Sequence, residues 1–237
     1  MNEDVYIRTA ESCKNHWWFR SRVLIFDSIF NNLKLRKNIR ILDYGSGIGS
    51  NIKMLKKHGI VEAFEPHMPA VKFLKKKFNI KIIKEIKKKY DLIFLADVIE
   101  HIKDDKKKIT ELENALKKNG YLILTTPAFQ FLFSKKDESL HHYRRYNKYN
   151  LQKLFSKKNF KVVKLSYFNF ILFFPIAISI LFLKLLKINF IDQVEKTPTF
   201  FINYLMFKIF SFERYLLKYI NFIYGISILL IVKKINN

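Results

Sequence analysis

Three glycines at two-residue spacing follow the apolar segment ILDY and could hold a ligand against the main chain. They are Gly45, Gly47 and Gly49, in the run ILDYGSGIGSN. Glycine adopts positive φ angles at low cost and lets a ligand approach the backbone closely. The G-x-G-x-G spacing departs from the G-x-G-x-x-G of dinucleotide-binding proteins, which weakens a dinucleotide assignment. The pattern therefore predicts a cofactor site where the first strand ends.

Glu65 stands at the end of the second predicted strand, at the distance of about 20 residues from the glycine turn that ribose-binding acids show. A carboxylate in this place can accept both hydrogen bonds of a ribose diol. The two features together favour an adenosine-containing ligand. The alternative is that Glu65 is a surface acid that begins a turn at Pro66.

The run HHYRRY at residues 141–146 follows a later predicted strand and carries a second set of polar side chains. Histidine can take a proton from an attacking hydroxyl, and arginine can bind a phosphate or carboxylate through two hydrogen bonds. Doubly wound sheets bind ligands at this carboxyl edge, which favours a substrate-side role. The alternative is that the arginines pair with nearby acids and cap carbonyls. The candidates are His142 as general base, Arg144, Arg145 and Tyr146.

Alternating apolar runs and helical stretches must position these residues. Strand and helix patterns follow one another without a gap, which is typical of an α/β fold. We expect a Rossmann-like, doubly wound, seven-stranded sheet whose last strand is antiparallel. The predicted strands are 39–43, 61–65, 80–83, 90–96, 121–126, 161–167 and 225–232, and the predicted helices are 23–33, 50–57, 69–78, 104–118 and 147–157.

An apolar region precedes the last strand. No charge stands between Lys164 and Lys184, and few stand between Thr199 and Ile220. The two segments predict a helical insertion that lies in a membrane interface, because Pro175 and clustered aromatics suit shallow insertion. Two alternatives are a pair of spanning helices and a dimer interface or buried cap. The basic residues expected to reach anionic headgroups are Lys184, Lys187, Lys208, Arg214 and Lys218.

The overall charge is strongly positive, with 44 Lys and Arg against 20 Asp and Glu. Such a surface attracts phosphate in nucleic acids or anionic lipids, and the 24 Phe favour the membrane. Compositional bias is the alternative explanation of the lysines. Cys13 is the only cysteine, which excludes an intramolecular disulfide and a Cys-based zinc site. The N-terminus lacks the pattern of a secretory signal, so we expect a cytoplasmic protein at the inner face of the membrane.

The runs LDYGSGIGS and YDLIFLADVIEH, with Glu65 between them, resemble the successive motifs of class I S-adenosylmethionine-dependent methyltransferases. The resemblance implies S-adenosylmethionine as the cofactor. Asp43 and the glycine turn would line its methionine end, Glu65 would hold the ribose, and Asp97 would face it from the fourth strand. The family often has an acid near the adenine after the third strand. Here only Glu85 is available, which puts that contact in doubt.

A narrower resemblance covers most of the chain. HWWFR, HHYRRY and the apolar tail resemble a largely uncharacterised bacterial and archaeal methyltransferase group of type 11 or 12, related to quinone-biosynthesis O-methyltransferases. It implies a lid at residues 16–20 in which Trp18 and Arg20 contact the cofactor; the alternative is that Trp18 is a core residue. Asp97, Glu100 and His101 resemble a run that holds a divalent metal in some quinone O-methyltransferases, but we expect no metal.

These observations predict a methyltransferase that acts on a small-molecule or lipid-linked acceptor at a membrane surface, which it contacts through residues 168–220. An RNA methyltransferase is one alternative, although no RNA-binding motif is present, so nucleic acid is not the expected partner. A non-catalytic membrane-associated assembly protein is the other. The expected segments are a lid and helix at 1–36, a cofactor-binding core at 37–167, the insertion at 168–224 and a returning strand at 225–237.

Overall fold

A seven-stranded sheet forms the centre of the protein in the computed structural model, which describes residues 10, 12–155, 159–186 and 197–235. The strands are β1 (Ile39–Tyr44), β2 (Gly59–Phe64), β3 (Lys81–Ile83), β4 (Tyr90–Ala96), β5 (Leu116–Pro127), β6 (Phe160–Phe168) and β7 (Ser227–Lys234). Their order is β3-β2-β1-β4-β5-β7-β6. Strands β1 to β5 pair in parallel, and β7 runs antiparallel to β5 and β6. The expected fold class is confirmed.

Helices alternate with these strands. They are α1 (Trp17–Asn32), α2 (Ile52–Leu55), α3 (Met68–Lys77), α4 (Asp105–Ala115), α5 (Lys135–Ser139), α6 (Lys148–Lys153), α7 (Phe173–Leu185) and α8 (Phe200–Leu216). Side chains fix several helix starts, since His16 accepts the Trp18 N–H and Asn147 accepts the Asn150 N–H. The cap at His16 explains why α1 begins six residues before the predicted start at residue 23. The helix predicted at 147–157 ends at Lys153 in the structure, and residues 156–158 lie outside the described residues.

Two other predicted helices are longer than the helices that form. The helix predicted at 104–118 ends at Ala115, because Leu116 already pairs with Tyr90 as part of β5. Asn119 then adopts a φ of 63°, and the pairing of β5 with β4 shifts its register between Tyr90 and Leu92. The helix predicted at 50–57 is reduced to α2, the four residues Ile52–Leu55.

Apolar side chains fill both faces of the central strands. β4 and β7 are buried along nearly their whole length, as expected for strands covered by helices on two sides. Helix α1 lies on one face, where the Phe26 ring packs 5.2 Å from that of Phe94. This packing fixes α1 beside the carboxyl ends of β1 and β4, where the glycine turn and Asp97 lie.

Helix α8 joins the apolar tail to this core. Asn203 accepts the Trp17 N–H at 2.8 Å, and the buried Phe210 ring lies 5.3 Å from Trp18. Glu213 is fully buried and accepts the N–H groups of residues 169–171 at 2.7, 2.8 and 3.1 Å. Burial raises the pKa of Glu213 to about 7. Glu213 therefore ties α8 to the chain that leaves β6.

Helix α7 is more exposed than α8. Ile178 is 64% exposed and Phe182 is 58% exposed, whereas Phe173 and Ala177 are buried. Lys184 donates a hydrogen bond to the Phe131 carbonyl. Lys187 and the adjoining residues 188–196 lie outside the described residues. Within the described ranges, no helix combines the length and the apolarity that a membrane crossing requires.

Candidate functional site

The glycine turn has the backbone that only glycine adopts easily. The φ angles of Gly45, Gly47 and Gly49 are 75°, 51° and 76°. A Cβ atom at Gly45 would lie 2.6 Å from Val98 Cγ2, whereas a Cβ at Gly47 would meet no atom within 4 Å. Gly45 is therefore required for packing. Gly47 borders open space, into which a ligand can reach the main chain.

Glu65 lies against this turn. Its carboxylate accepts the Gly47 N–H at 2.8 Å through Oε2 and the His67 N–H at 2.9 Å through Oε1. Each carboxylate oxygen has a second lone pair that a hydroxyl could use. By contrast, the Glu85 side chain is 71% exposed and pairs with Lys87 at 3.1 Å. The structure therefore brings Glu65, and not Glu85, to the glycine turn.

Asp43 supplies a buried acceptor beside the turn. It is 3% exposed, and its Oδ2 has no hydrogen-bond partner in the described structure. Burial, with a smaller contribution from the charge of Glu65, raises the pKa of Asp43 to about 7. A buried oxygen without a partner is costly, so a bound group that donates a hydrogen bond would stabilise this site. Asp43, Gly47 and Glu65 thus fit a polar cofactor.

Asp97 follows β4 with a φ of 56° and is paired with Arg22 of α1. Arg22 also donates to Thr125 Oγ1 at 2.9 Å, and this hydroxyl donates to Asp97 at 3.0 Å. Burial alone would raise the pKa of Asp97, but the charge and hydrogen bonds of Arg22 outweigh it and lower the pKa. Asp97 is therefore ionised. Sequence reasoning missed Arg22, although a charged residue on the apolar side of α1 that carries Ile25 and Phe26 was a signal.

The two residues of the expected lid that were to contact the cofactor pack against α8. The Trp18 ring packs 5.3 Å from that of Phe210, and the Arg20 guanidinium lies 4.3 Å over the ring of Phe207. This placement of Trp18 agrees with the core alternative. A contact of Trp18 or Arg20 with a cofactor stays a prediction.

The second set of polar residues surrounds His142. Its Nδ1 lies 2.9 Å from Oδ1 of Asp137, and its ring lies 4.5 Å from that of His101, edge to face. The N–H of Tyr143 donates to the Glu100 carbonyl at 2.8 Å. The loop that carries His142 is thereby fixed beside the residues that follow β4.

The other predicted residues of this loop are paired with acids. Arg145 donates to both oxygens of Asp137, from Nε at 2.8 Å and from Nη2 at 2.9 Å. Arg144 and the Tyr146 hydroxyl donate to the same oxygen of Asp105 at 2.7 and 2.8 Å. Burial and Asp105 together raise the pKa of Tyr146 far above its usual value. These contacts match the structural alternative for the arginines, and a role in acceptor binding stays a prediction.

The acids after β4 do not form the metal-ligand set that the resemblance implies. Both oxygens of Asp97 bind Arg22 or Thr125. Ligand atoms of Glu100, His101 and His142 lie within 4.8 Å of one another instead. Glu100 is fully buried with one oxygen unpartnered, and burial and the nearby Asp97 raise its pKa well above the usual value. His142 therefore stands where the expected set has Asp97.

Comparison with known proteins agrees with this architecture. A relative from Pelagibacter ubique (strain HTCC1062), the ubiquinone biosynthesis O-methyltransferase, is 30% identical over 120 residues, which cover 43% of this chain. The chain spans about half (50%) of the length of that relative.

Two solved structures share the fold. A chain in the Haloferax volcanii complex of the Trm112 methyltransferase activator and a methyltransferase aligns with a TM-score of 0.62 and 11% identity, covering 99% of this chain and 96% of that one. An S-adenosylmethionine-dependent methyltransferase from Clostridium acetobutylicum aligns with a TM-score of 0.55 and 14% identity, covering 93% and 92%. Residues 17–165, more than half of the chain, match the methyltransferase domain family. The protein is therefore a member of the methyltransferase domain family.

Proposed function

We propose that this methyltransferase transfers the methyl group of S-adenosylmethionine to a hydrophobic or lipid-linked acceptor at the cytoplasmic surface of a membrane. The observation that carries the cofactor assignment is the unpartnered buried oxygen of Asp43 beside the open side of Gly47. Glu65 stands at the other end of the same turn, where it would hold the ribose hydroxyls. The Clostridium acetobutylicum protein with the same fold depends on S-adenosylmethionine.

S-adenosylmethionine, when bound, supplies a methyl group made electrophilic by its sulfonium. The residues of this chain then have two tasks, to align the acceptor and to remove its proton. Asp43 and the glycine turn would hold the methionine end, and Asp97, fixed by Arg22, would face it. His142 is the proposed proton acceptor. A hydroxyl acceptor agrees with the activity of the Pelagibacter ubique relative, which is an O-methyltransferase of ubiquinone biosynthesis.

The membrane assignment rests on exposed apolar side chains near this site. Large exposed patches mark contact surfaces in soluble proteins, and helices with such faces lie in membrane interfaces. A net charge of +24 would add attraction to anionic lipid. Phe131, which precedes the His142 loop, and Tyr143, which directly follows His142, are 53% and 54% exposed. The exposed residues on or next to α7 and α8 are Phe174, Ile178, Leu181, Phe182, Leu185, Leu186, Phe200, Phe201, Ile202, Tyr204, Leu205, Phe212 and Tyr215.

Transfer of labelled methyl groups tests this proposal. The protein is incubated with S-adenosylmethionine labelled with tritium in the methyl group, together with either bacterial membrane lipid extract or total RNA. We expect label in the organic phase of the lipid sample with wild type, and a loss of at least about tenfold with Glu65→Ala, equal to about 1.4 kcal/mol. Label in the RNA would contradict the proposed acceptor. No transfer to either by folded protein that binds the cofactor would contradict catalysis of this class.

A further inference from the structure

We infer that Asp137 is a positioning residue that holds the His142 imidazole with Nδ1 bonded and leaves Nε2 to take the proton of a hydroxyl acceptor. The inference rests on the proposed function, since it adds the residue that orients the proposed base, His142. Asp137 lies outside the runs that carry the predicted site residues, and it forms a capping box with Ser134 at the start of α5. Its role follows from the contacts that the fold gives it.

The carboxylate of Asp137 is fixed from three directions. Asp137 lies in α5 and is 1% exposed. Arg145 donates to both of its oxygens, and Ser134 donates to Oδ2 from its N–H at 2.9 Å and its hydroxyl at 3.1 Å. Burial opposes the charged form, but the hydrogen bonds of His142 and Arg145 hold the pKa of Asp137 well below its usual range. Asp137 is therefore an ionised carboxylate that can only accept hydrogen bonds.

The bonding of Asp137 determines which nitrogen of His142 is free. Because an ionised carboxylate accepts, Nδ1 at 2.9 Å must carry the hydrogen. In the neutral imidazole, Nε2 then holds the lone pair that can accept a proton. The His142 N–H also donates to the Asp137 carbonyl at 2.9 Å, after a turn in which His141 has a φ of 59°. Main chain and side chain together fix the ring.

The ring lies at the edge where methyl transfer is proposed. The His101 ring is 4.5 Å away, and His101 follows Asp97 by four residues at the end of β4. When protonated, His142 adds to the charges that lower the pKa of Asp97, so the two side chains are near each other. The His142 side chain is 7% exposed, so little water competes for its nitrogen.

The proposed step moves a methyl group to the acceptor and a proton to His142. The acceptor oxygen forms a bond to the methyl carbon while the carbon–sulfur bond breaks and its electron pair stays on sulfur. The acceptor O–H bond breaks and its proton moves to Nε2 of His142. Asp137 supplies the negative charge that stabilises the resulting imidazolium. The acceptor class is therefore a hydroxyl compound, such as a phenol or an alcohol.

Nuclear magnetic resonance on protein labelled with 15N-histidine tests the inference without turnover. His142→Gln assigns the resonances, and long-range 1H–15N correlations report the tautomer. We expect wild type and Glu138→Gln, an exposed acid next in sequence, to show hydrogen on Nδ1 and a free Nε2. Asp137→Asn should lose this preference, because an amide can donate as well as accept. Hydrogen on Nε2 in wild type would overturn the inference, as would an unchanged tautomer in folded Asp137→Asn.

The wild-type tautomer needs no substitution, so the test stands even where Asp137→Asn fails to fold. Calorimetric binding of S-adenosylmethionine to the same samples reports separately on the proposed function. A protein that binds the cofactor but carries hydrogen on Nε2 overturns only the inference. In the lipid-extract assay, Asp137→Asn should lower transfer by roughly 100-fold, because the imidazolium loses its counter-charge. Unchanged transfer by folded Asp137→Asn that binds the cofactor would mean that Asp137 is only structural.

Discussion

The guanidinium of Arg22 and the carboxylate of Asp97 form an ion pair between α1 and the end of β4, and Thr125 bonds both partners. The pair joins a helix from the start of the chain to the residue that would face the cofactor. Because the Arg22 side chain is 7% exposed, the pair is poorly screened by solvent. The position of Asp97 at the carboxyl end of β4 therefore depends on the packing of α1 against the sheet.

Arg22→Ala should weaken both the fold and cofactor binding. It leaves Asp97 charged and partly buried without its partner, which we expect to lower the free energy of unfolding by about 2 kcal/mol, below the range for a fully buried pair. Binding of S-adenosylmethionine should weaken at least about tenfold, or about 1.4 kcal/mol. Urea unfolding and calorimetry measure the two effects. Arg36→Ala, an exposed arginine between α1 and β1, is the control and should change stability by less than about 1 kcal/mol; equal losses in both variants would contradict the role of Arg22.

Asp43 should couple cofactor binding to proton release. Its pKa of about 7 means that it holds a proton in much of the free protein at pH 6 to 7. A donor on the bound cofactor favours the ionised form, so binding should release this proton and affinity should rise with pH between about 6 and 8. Calorimetry in two buffers of different ionisation enthalpy measures the release. Asp43→Asn should bind more weakly and release no proton at this site; equal release by both proteins would rule the coupling out.

Glu213 should give stability a specific dependence on pH. Its pKa in the folded chain, about 7, is above its usual value of 4.5, so the folded state binds the proton more tightly. Its contribution is present at low pH and is lost as pH rises through about 7. Between pH 5 and 8, we expect the unfolding free energy of wild type to fall by about 2 kcal/mol more than that of Glu213→Gln. Urea unfolding at both pH values measures this, and Glu111→Gln, an exposed acid, should show the wild-type slope.

Much of the fold could be predicted from local patterns. Alternating and continuous apolar runs predicted a strand at 90–96, and β4 has the same bounds, Tyr90–Ala96. The position of the glycine turn was predicted from residue types alone. Glycine signals a backbone angle, which is a local property. Helix caps are local as well: the helix predicted to begin at residue 147 starts at the cap Asn147, whereas the cap at His16 was not expected.

Partners distant along the chain could not be predicted in this way. Arg22 and Asp97 are 75 residues apart, and Glu213 binds main-chain groups 42 to 44 residues away. A sequence pattern gives the face on which a residue lies but not the atom that it meets. Arg145 shows the consequence: its type suggested an acceptor ligand, and the fold pairs it with Asp137.

The apolar face of α7 should bind anionic vesicles. Ile178→Glu places a charge in the middle of this face, where the side chain is 64% exposed and its loss should not disturb the core. Flotation with vesicles of phosphatidylcholine and phosphatidylglycerol should recover wild type and several-fold less Ile178→Glu. The matched control is Ile60→Glu on β2, where the side chain is 60% exposed. Equal flotation of the two variants would contradict membrane contact through α7.

Calorimetric binding of S-adenosylmethionine to wild type, Glu65→Ala and Glu85→Ala tests the central claim most directly. Glu65 contacts the glycine turn, whereas Glu85 is an exposed acid after β3. Each variant therefore removes one carboxylate, but only Glu65→Ala removes it from the glycine turn. We predict binding on the order of micromolar by wild type and Glu85→Ala, and a loss of at least about tenfold in Glu65→Ala. No binding by folded wild type, or equal binding by all three proteins, would contradict the cofactor site described above.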